Sequence, residues 1–259
     1  MKIAILCDTH CGIRNSSEVF LDNAEDFYTN IFFPECQKQG ITQILHLGDY
    51  YDHRKFVNFK ALNQNRRVFL DQLRKNNMMM DIIPGNHDTY YKNTNELNSL
   101  KECLGHYMNE IHIVMEPTVM QYGSLSMGLL PWICADNYDQ SMNFIRDCKA
   151  DWLGAHLELS NFEIGRGIMA HSGMDPKLFQ KFEQVLSGHY HTASRRDNIW
   201  YLGNPMEFFW SDAHDPKYFH ILDTETRQIE KIKNTYTLFE KIVYNDKEMD
   251  YNNYNKNLS

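Results

Sequence analysis

Three short apolar runs, KIAILCD, ITQILHLGD and MMDIIPGNHD, occupy the first 90 residues with two amphipathic stretches between them. In the first stretch Phe20, Ala24, Phe27 and Ile31 recur at helical spacing until Pro34 and Gly40 stop the pattern; in the second, Phe59, Leu62, Phe69 and Leu73 mark one helix face. Strand and helix in alternation imply parallel pairing, because a parallel connection needs a crossover long enough to hold a helix. Parallel strands place their carboxyl ends along one edge, where the loops are free to carry chemistry. The fold class is therefore α/β.

From about residue 111 the texture changes to short strands with turn signals, beginning IHIVMEPTVMQYGSLSMGLLPW. A helix is expected over 137–149 behind Asp136 as cap, and another behind Asp175 and Pro176, which suit the N-cap and first-turn positions. QVLSGHYH, NIWYLGNP and YFHILDT read as further strands. Strands this numerous predict two sheets packed face to face with helices outside. At 259 residues and 42% hydrophobic, the chain suits one large domain with a full core. The final stretch, VYNDKEMDYNNYNKNLS, is Asn-rich and nearly without aliphatics.

Composition excludes several classes. No run of 18 apolar residues is present and MKIAILCDTH lacks the regions of a signal peptide, so the expectation is a cytoplasmic protein with no membrane contact (host cytoplasm if phage-encoded). Six cysteines without a CxxC pair argue for reduced thiols and against a thiolate zinc cluster. A net charge of −8 argues against a generic polyanion-coating protein. If the chain handles nucleic acid, metal ions and a local basic patch must supply the attraction.

The polar residues at the expected strand ends form the informative set. They are Asp8 and His10 in CDTHCG, Asp49 in LGDYYDHR, Asn86 and His87 in PGNHD, His156 in GAHLE, and His189 with His191 in SGHYH. Any one alone reads more simply as a turn former or a core histidine. Five strand ends that jointly present carboxylate, amide and imidazole offer the oxygen and nitrogen donors that suit divalent first-row metals. Asp8, His10, Asp49 and His191 can serve one ion, and Asp49, Asn86, His156 and His189 a second, with Asp49 as the bridge. Alternation along an extended segment would let His189 and His191 share a face while Tyr190 points away. His171 competes for the role of His156, which is preferred because it ends the apolar run DWLGAH.

Together, D-x-H, G-D-x-x-D, G-N-H-D, a strand-end His and G-H-x-H resemble the calcineurin-type metallophosphoesterase superfamily over residues 1–222. Within it, GDYYDHRK, IIPGNHDTYYKN, LLPWICADN, SGHYHT and YLGNPMEFFWSDAHDPKYFHILDTET are most similar to SbcD-type double-strand-break repair nuclease subunits and their phage recombination-endonuclease relatives. The resemblance implies a four-layer α/β/β/α sandwich of two mixed sheets, two divalent ions with Mn2+ the expected metal, DNA phosphodiesters as substrate, and an SbcC-type SMC-like ATPase partner. It also implies a homodimer, for which the helix bearing Phe59, Leu62 and Phe69 is a candidate. Residues 223–259 are then expected to be terminal strands and a polar tail at the start of a capping and ATPase-binding region. Protein phosphatases of the superfamily follow the second Asp with Arg-Gly, whereas Asp52 is followed here by His53 and Arg54.

Two such ions can activate water and stabilise an in-line transition state at phosphorus. His87, next to the ligand Asn86, is expected to act on the leaving oxygen rather than on a metal, with Asp52 orienting it. Arg54, Lys55, Lys92, Arg166, Arg195 and Arg196 are candidate substrate contacts in loops near the metals, and Tyr90 and Tyr91 could stack on splayed bases. A phosphatase or phosphodiesterase acting on small esters is the competing reading, favoured by the acidic net charge.

Overall fold

A computed structural model describes residues 1–165 and 167–242. The expected chain of strands is present, in two six-stranded sheets. β1 (Lys2–Leu6), β2 (Gln43–His46), β3 (Met79–Ile82) and β4 (Ile111–Ile113) open the first sheet; β5 (Thr118–Tyr122), β6 (Leu125–Leu130) and β7 (Trp152–His156) open the second. A two-stranded hairpin follows, β8 (Glu163–Gly165) with β9 (Ile168–Met169), then β10 (Gln184–Gly188), β11 (Ser194–Arg196) and β12 (Ile199–Tyr201) complete the second sheet. The chain then returns to the first sheet with β13 (Tyr218–Asp223) and β14 (Gln228–Lys233). The strand orders are β14-β13-β1-β2-β3-β4 and β11-β12-β10-β7-β6-β5. β1 to β4 run parallel, as do β6, β7, β10 and β12, while the flanking strands are antiparallel, so both sheets are mixed. The first sheet therefore continues through β13 and β14 to Lys233. Residues 243–259 lie outside the described residues.

The period-2 alternation of strands divides the buried side chains among three cores. Ala4, Leu6, Ile44, Met80 and Ile82 meet the helices outside the first sheet. Their neighbours Ile3, Ile5, Leu45 and Ile83 face inward to Met127, Leu129, Trp152 and Leu186 of the second sheet. Leu153, Ala155 and Val185 point to the opposite side, against Ile145, Phe179 and Phe182. Three apolar interfaces make the four layers of an α/β/β/α sandwich.

Four helical expectations need correction. Pro34 does not end the first helix: helix Glu18–Phe27 passes through a π turn, Tyr28–Phe32, into helix Phe33–Lys38. The amide of Phe33 bonds back five residues to Tyr28, and this widened turn lies just ahead of the ring of Pro34. The helix ends instead at Gly40, where the amide of Ile41 reaches the Cys36 carbonyl at 2.8 Å and that of Gly40 reaches Gln37 at 3.1 Å, a Schellman closure. In the second helical segment (Phe59–Asn65, Arg66–Leu70, Asp71–Lys75), Phe69 and Leu73 are buried but Phe59 is 87% exposed, so the inward face runs through Ala61, Val68, Phe69 and Leu73. Helix Tyr138–Asp147 is preceded by Asn137 rather than capped by Asp136, and Asp175 caps only a single 3-10 turn, Pro176–Phe179.

Among the described residues no helix is long and apolar enough to cross a membrane, and all six cysteines are free. Phe32, fully buried with its ring 5.0 Å from Phe219, should cost about 3–5 kcal/mol when cut to Ala. Phe59→Ala should stay within about 0.5 kcal/mol. Urea unfolding of the two variants tests this division; equal losses would return Phe59 to the core.

Candidate metal centre

The carboxyl ends of β1, β2, β3, β7 and β10 converge where the two sheets meet. Past β1 and β2 the loops continue to pair: the amide of Asp8 bonds to the Gly48 carbonyl at 2.9 Å, His10 to Asp49 at 3.1 Å and Cys11 to Tyr50 at 2.7 Å. His156 Nδ1 reaches the Leu47 carbonyl at 2.8 Å, tying the second sheet to the first. The backbone at Asp8, His10, Asp49 and His189 is left-handed, with φ of 50, 43, 54 and 90°. Non-glycine residues in that region are strained, at about 1–3 kcal/mol each, and persist where the surroundings over-determine them.

Two glycines make the close approach feasible. A Cβ on Gly85 would lie 2.2 Å from Asp49 Oδ1, and one on Gly188 would lie 2.7 Å from Asp8 Oδ2. Asp88, the last residue of PGNHD, is fully buried and ties the loops together. Its carboxylate accepts the amides of Tyr50 and Tyr51 at 3.0 Å each and of Gly85 at 2.9 Å, while burial pushes its carboxyl up to about 6. His46, buried as expected, meets the Thr9 hydroxyl at 3.0 Å from behind.

Two donor groups result. Asp8, His10 and His191 form one and Asp49, His156 and His189 the other, each with its ligand atoms within 4.8 Å of one another. His10 Nε2 and His191 Nε2 face each other at 3.1 Å. The amide oxygen of Asn86 joins the second group, 2.8 Å from His189 Nδ1 and 3.1 Å from His156 Nε2. Asp49 Oδ2 lies between the groups, 3.4 Å from His156 Nε2 and 3.7 Å from His10 Nε2, while its Oδ1 accepts the His87 amide at 2.7 Å. Every residue expected to hold a metal is thus brought to one centre, and the exposed His171 is not. His189 and His191 do not reach it by strand alternation. β10 ends at Gly188, and the left-handed turn at His189 sends the two imidazoles to different groups. Tyr190 does point away, stacked on Tyr201 at 4.5 Å.

The electrostatics fit a cation. Burial raises the Asp8 carboxyl; burial also opposes the charge on Asp49, but His156, His10 and His87 around it hold it well below the usual carboxylate range. Burial likewise opposes charge on His156, which the Asp49 carboxylate outweighs, pushing it up to about 9; His10 is raised by Asp52, Asp49 and Asp8 against its own burial. Burial takes His189 down to about 3 and His191 well below its ordinary value, so both imidazoles offer lone pairs. Two buried carboxylates draw positive charge onto whatever stands between them, and neutral imidazoles and an amide oxygen complete a donor set for a divalent ion.

A third group, His10, Asp52 and His87, changes one expected role. His87 Nδ1 meets the backbone carbonyl of Asp52 at 2.6 Å, whereas the Asp52 carboxylate lies 3.1 Å from His10 Nδ1. Asp52 therefore orients His87 through its main chain, and its side chain faces a metal-site histidine. Arg54 is committed to the loop, donating to the Asn86 carbonyl at 2.7 Å and the Thr89 hydroxyl at 3.3 Å. Tyr90 packs on Tyr91 at 4.7 Å with the ammonium of Lys55 5.8 Å from its ring, and Lys92 is exposed. Arg195 lies over Trp200 at the far edge of the second sheet, and Arg196 is exposed beside Asp197. Arg166 lies outside the described residues. The sequence reading missed Asp88, although PGNHD contains it, and Arg14, whose guanidinium covers Phe209, itself stacked on His191.

Asp88→Ala would strand three buried amides at about 1–3 kcal/mol apiece. The expected result is a stability loss of about 3 kcal/mol or more and divalent affinity about tenfold lower, read by urea unfolding and calorimetric titration with Mn2+. Unchanged affinity would show that the loops hold their shape without it.

Known proteins bear on the same residues. Residues 1–193 match the family model of the calcineurin-like phosphoesterases. The whole chain aligns at 32% identity over 260 residues with exonuclease subunit 1 of Enterobacteria phage T4, covering 75% of that protein. A crystal structure of a Thermus thermophilus protein is similar in fold, with a TM-score of 0.50 at 10% identity over 90% of this chain and 98% of that one. An archaeal phosphodiesterase structure gives 0.45 at 16% identity over 90% of this chain and all of that one. The family match over most of the chain and the full-length alignment agree with the metal centre the strands assemble, and the chain belongs to the calcineurin-like phosphoesterases.

Proposed function

We propose that the chain is a manganese-dependent DNA nuclease subunit that hydrolyses phosphodiesters at a dinuclear site, within a recombination or double-strand-break repair complex. The observation that carries this reading is the alignment of the entire chain with a phage exonuclease subunit, supported by the strand-end groups Asp8, His10 and His191 and Asp49, His156 and His189. Asp8, His10, Asp49 and His191 would hold one ion and Asp49, Asn86, His156 and His189 the other. Bound there, the ions would supply charge stabilisation on the phosphate and a nucleophile from water at neutral pH.

The chain's own residues supply the remainder. The Asp52 carbonyl accepts a hydrogen bond from Nδ1–H of His87 and leaves Nε2 as the nitrogen available to the substrate. With both nitrogens protonated, His87 keeps that hydrogen bond and donates from Nε2 to the leaving oxygen. Tyr90 and Lys92 remain candidate substrate contacts, and Arg54 braces the Asn86 loop. An SMC-like ATPase is the expected partner, and the helix bearing Phe59, Leu62 and Phe69 is the candidate homodimer element, with Phe59 exposed on it and Phe69 buried.

The test is cleavage of end-labelled single- and double-stranded DNA in Mn2+, run beside a chromogenic phosphodiester and phosphomonoester. Asp49→Ala should abolish all activity. His87→Ala should lower DNA cleavage by about 10²–10⁴-fold while calorimetry still counts both ions. Turnover of small esters without DNA cleavage would favour the small-ester reading instead, and full activity in His87→Ala would remove it from the mechanism.

A further inference from the structure

A pocket of about 350 Å³ opens directly beside His156, which is part of its lining. Trp132, Tyr138, Leu157, Glu158 and Met174 line it together with His156. The indole of Trp132 lies 5.3 Å from the His189 ring and 5.9 Å from that of His156, so the pocket begins where the metal ligands end. Its aromatic wall is built to hold still. The Trp132 amide donates to the Pro84 carbonyl at 2.9 Å, and its carbonyl accepts from Asn95 at 2.7 Å and Asn137 at 2.9 Å. Asn137 accepts the Cys134 amide in turn at 2.8 Å, closing the loop that leads to Tyr138. Opposite, the amide of Met174 bonds to the Glu158 carbonyl at 2.8 Å.

The lining is aromatic and apolar, with a thioether and one exposed carboxylate, Glu158. A carboxylate repels a phosphate but accepts from the exocyclic amino group of a base. Flat rings and a thioether offer faces on which a base of any sequence can stack. A phosphate held at Asp49, His156 and His189 would lie beside this pocket, since His156 is itself part of the lining.

We infer that this pocket is a nucleobase subsite: the nucleotide whose phosphate is cut places its own base, unpaired, against Trp132 and Tyr138, with Glu158 accepting an amino group. The inference rests on the nuclease reading and adds to it that the terminal base leaves its duplex partner before cleavage. Cytosine and adenine are favoured over thymine there, since thymine brings no amino group.

The experiment compares single-stranded oligonucleotides carrying a normal or an abasic nucleotide at the cut position. In the wild type the abasic substrate should show kcat/KM about tenfold lower, chiefly through KM, as expected for loss of one base stack. Tyr138→Ala should erase the difference, Tyr138→Phe should restore it, and both should turn over the chromogenic diester like wild type. A 2-aminopurine at that position, bound with Ca2+ in place of Mn2+, should lose fluorescence in the wild type and keep it in Tyr138→Ala. Equal cutting of normal and abasic substrates, or unaltered discrimination in Tyr138→Ala, would overturn the subsite while leaving the nuclease intact. Absence of any Asp49-dependent DNA cleavage would overturn the nuclease reading, and the subsite with it.

Discussion

Two carboxylates, Asp8 and Asp49, are buried at the meeting of the sheets, and among the described residues neither has a lysine or arginine as ion-pair partner. Such charge is costly unless other groups compensate it. Much of the local architecture answers that constraint. Histidines from both sheets crowd around the carboxylates, backbone amides of His87 and His189 donate to them, and the remaining negative charge suits divalent ions. The same need accounts for the tight joining of the sheets at this edge, where His156 reaches across to Leu47.

Holding four donors in left-handed backbone stores strain, and strain of that kind survives only inside a frame that leaves no easier conformation. The frame consists of the extended pairing between the β1 and β2 loops, the missing side chains at Gly85 and Gly188, and the Asp88 carboxylate that gathers three amides. Asp88 lies one turn behind the chemistry and touches none of the proposed ligand atoms, yet it sets the path of the loops that carry Asp49 and Asn86. The buried aromatic cluster of Phe27, Phe32, Phe69 and Phe219 supports the same sheet from its other face.

The acidic balance of the chain, −8 overall, is compatible with a polyanionic substrate because the interaction is local. Asp8 and Asp49, which count toward that charge, would hold the cations, and at short range a divalent ion at the phosphate outweighs distant surface charge screened by salt. Aromatic surface beside the second donor group gives a base somewhere to rest without any call on lysine or arginine.

Residue types at strand ends were legible in the sequence by itself, since an apolar run followed by Gly, Asp, Asn or His is a local pattern. That local pattern picked out Asp8, His10, Asp49, Asn86, His156, His189 and His191 as candidate donors, and alternation of strand with helix identified the α/β class. Tertiary structure decided the rest, because the missing facts were distances between segments far apart in the chain. Phe59 carries the helical period yet faces outward, since helix position over the sheet, rather than period alone, selects the buried stripe. Pro34 continues a helix because a π turn ahead of it makes room. Asp52 serves His87 by its carbonyl and faces His10 by its carboxylate, a choice set by where the third strand's loop falls. Asp88 and Trp132 stand within the motifs PGNHD and LLPWICADN, but the cage and the wall they form exist only once loops more than thirty residues apart are packed side by side.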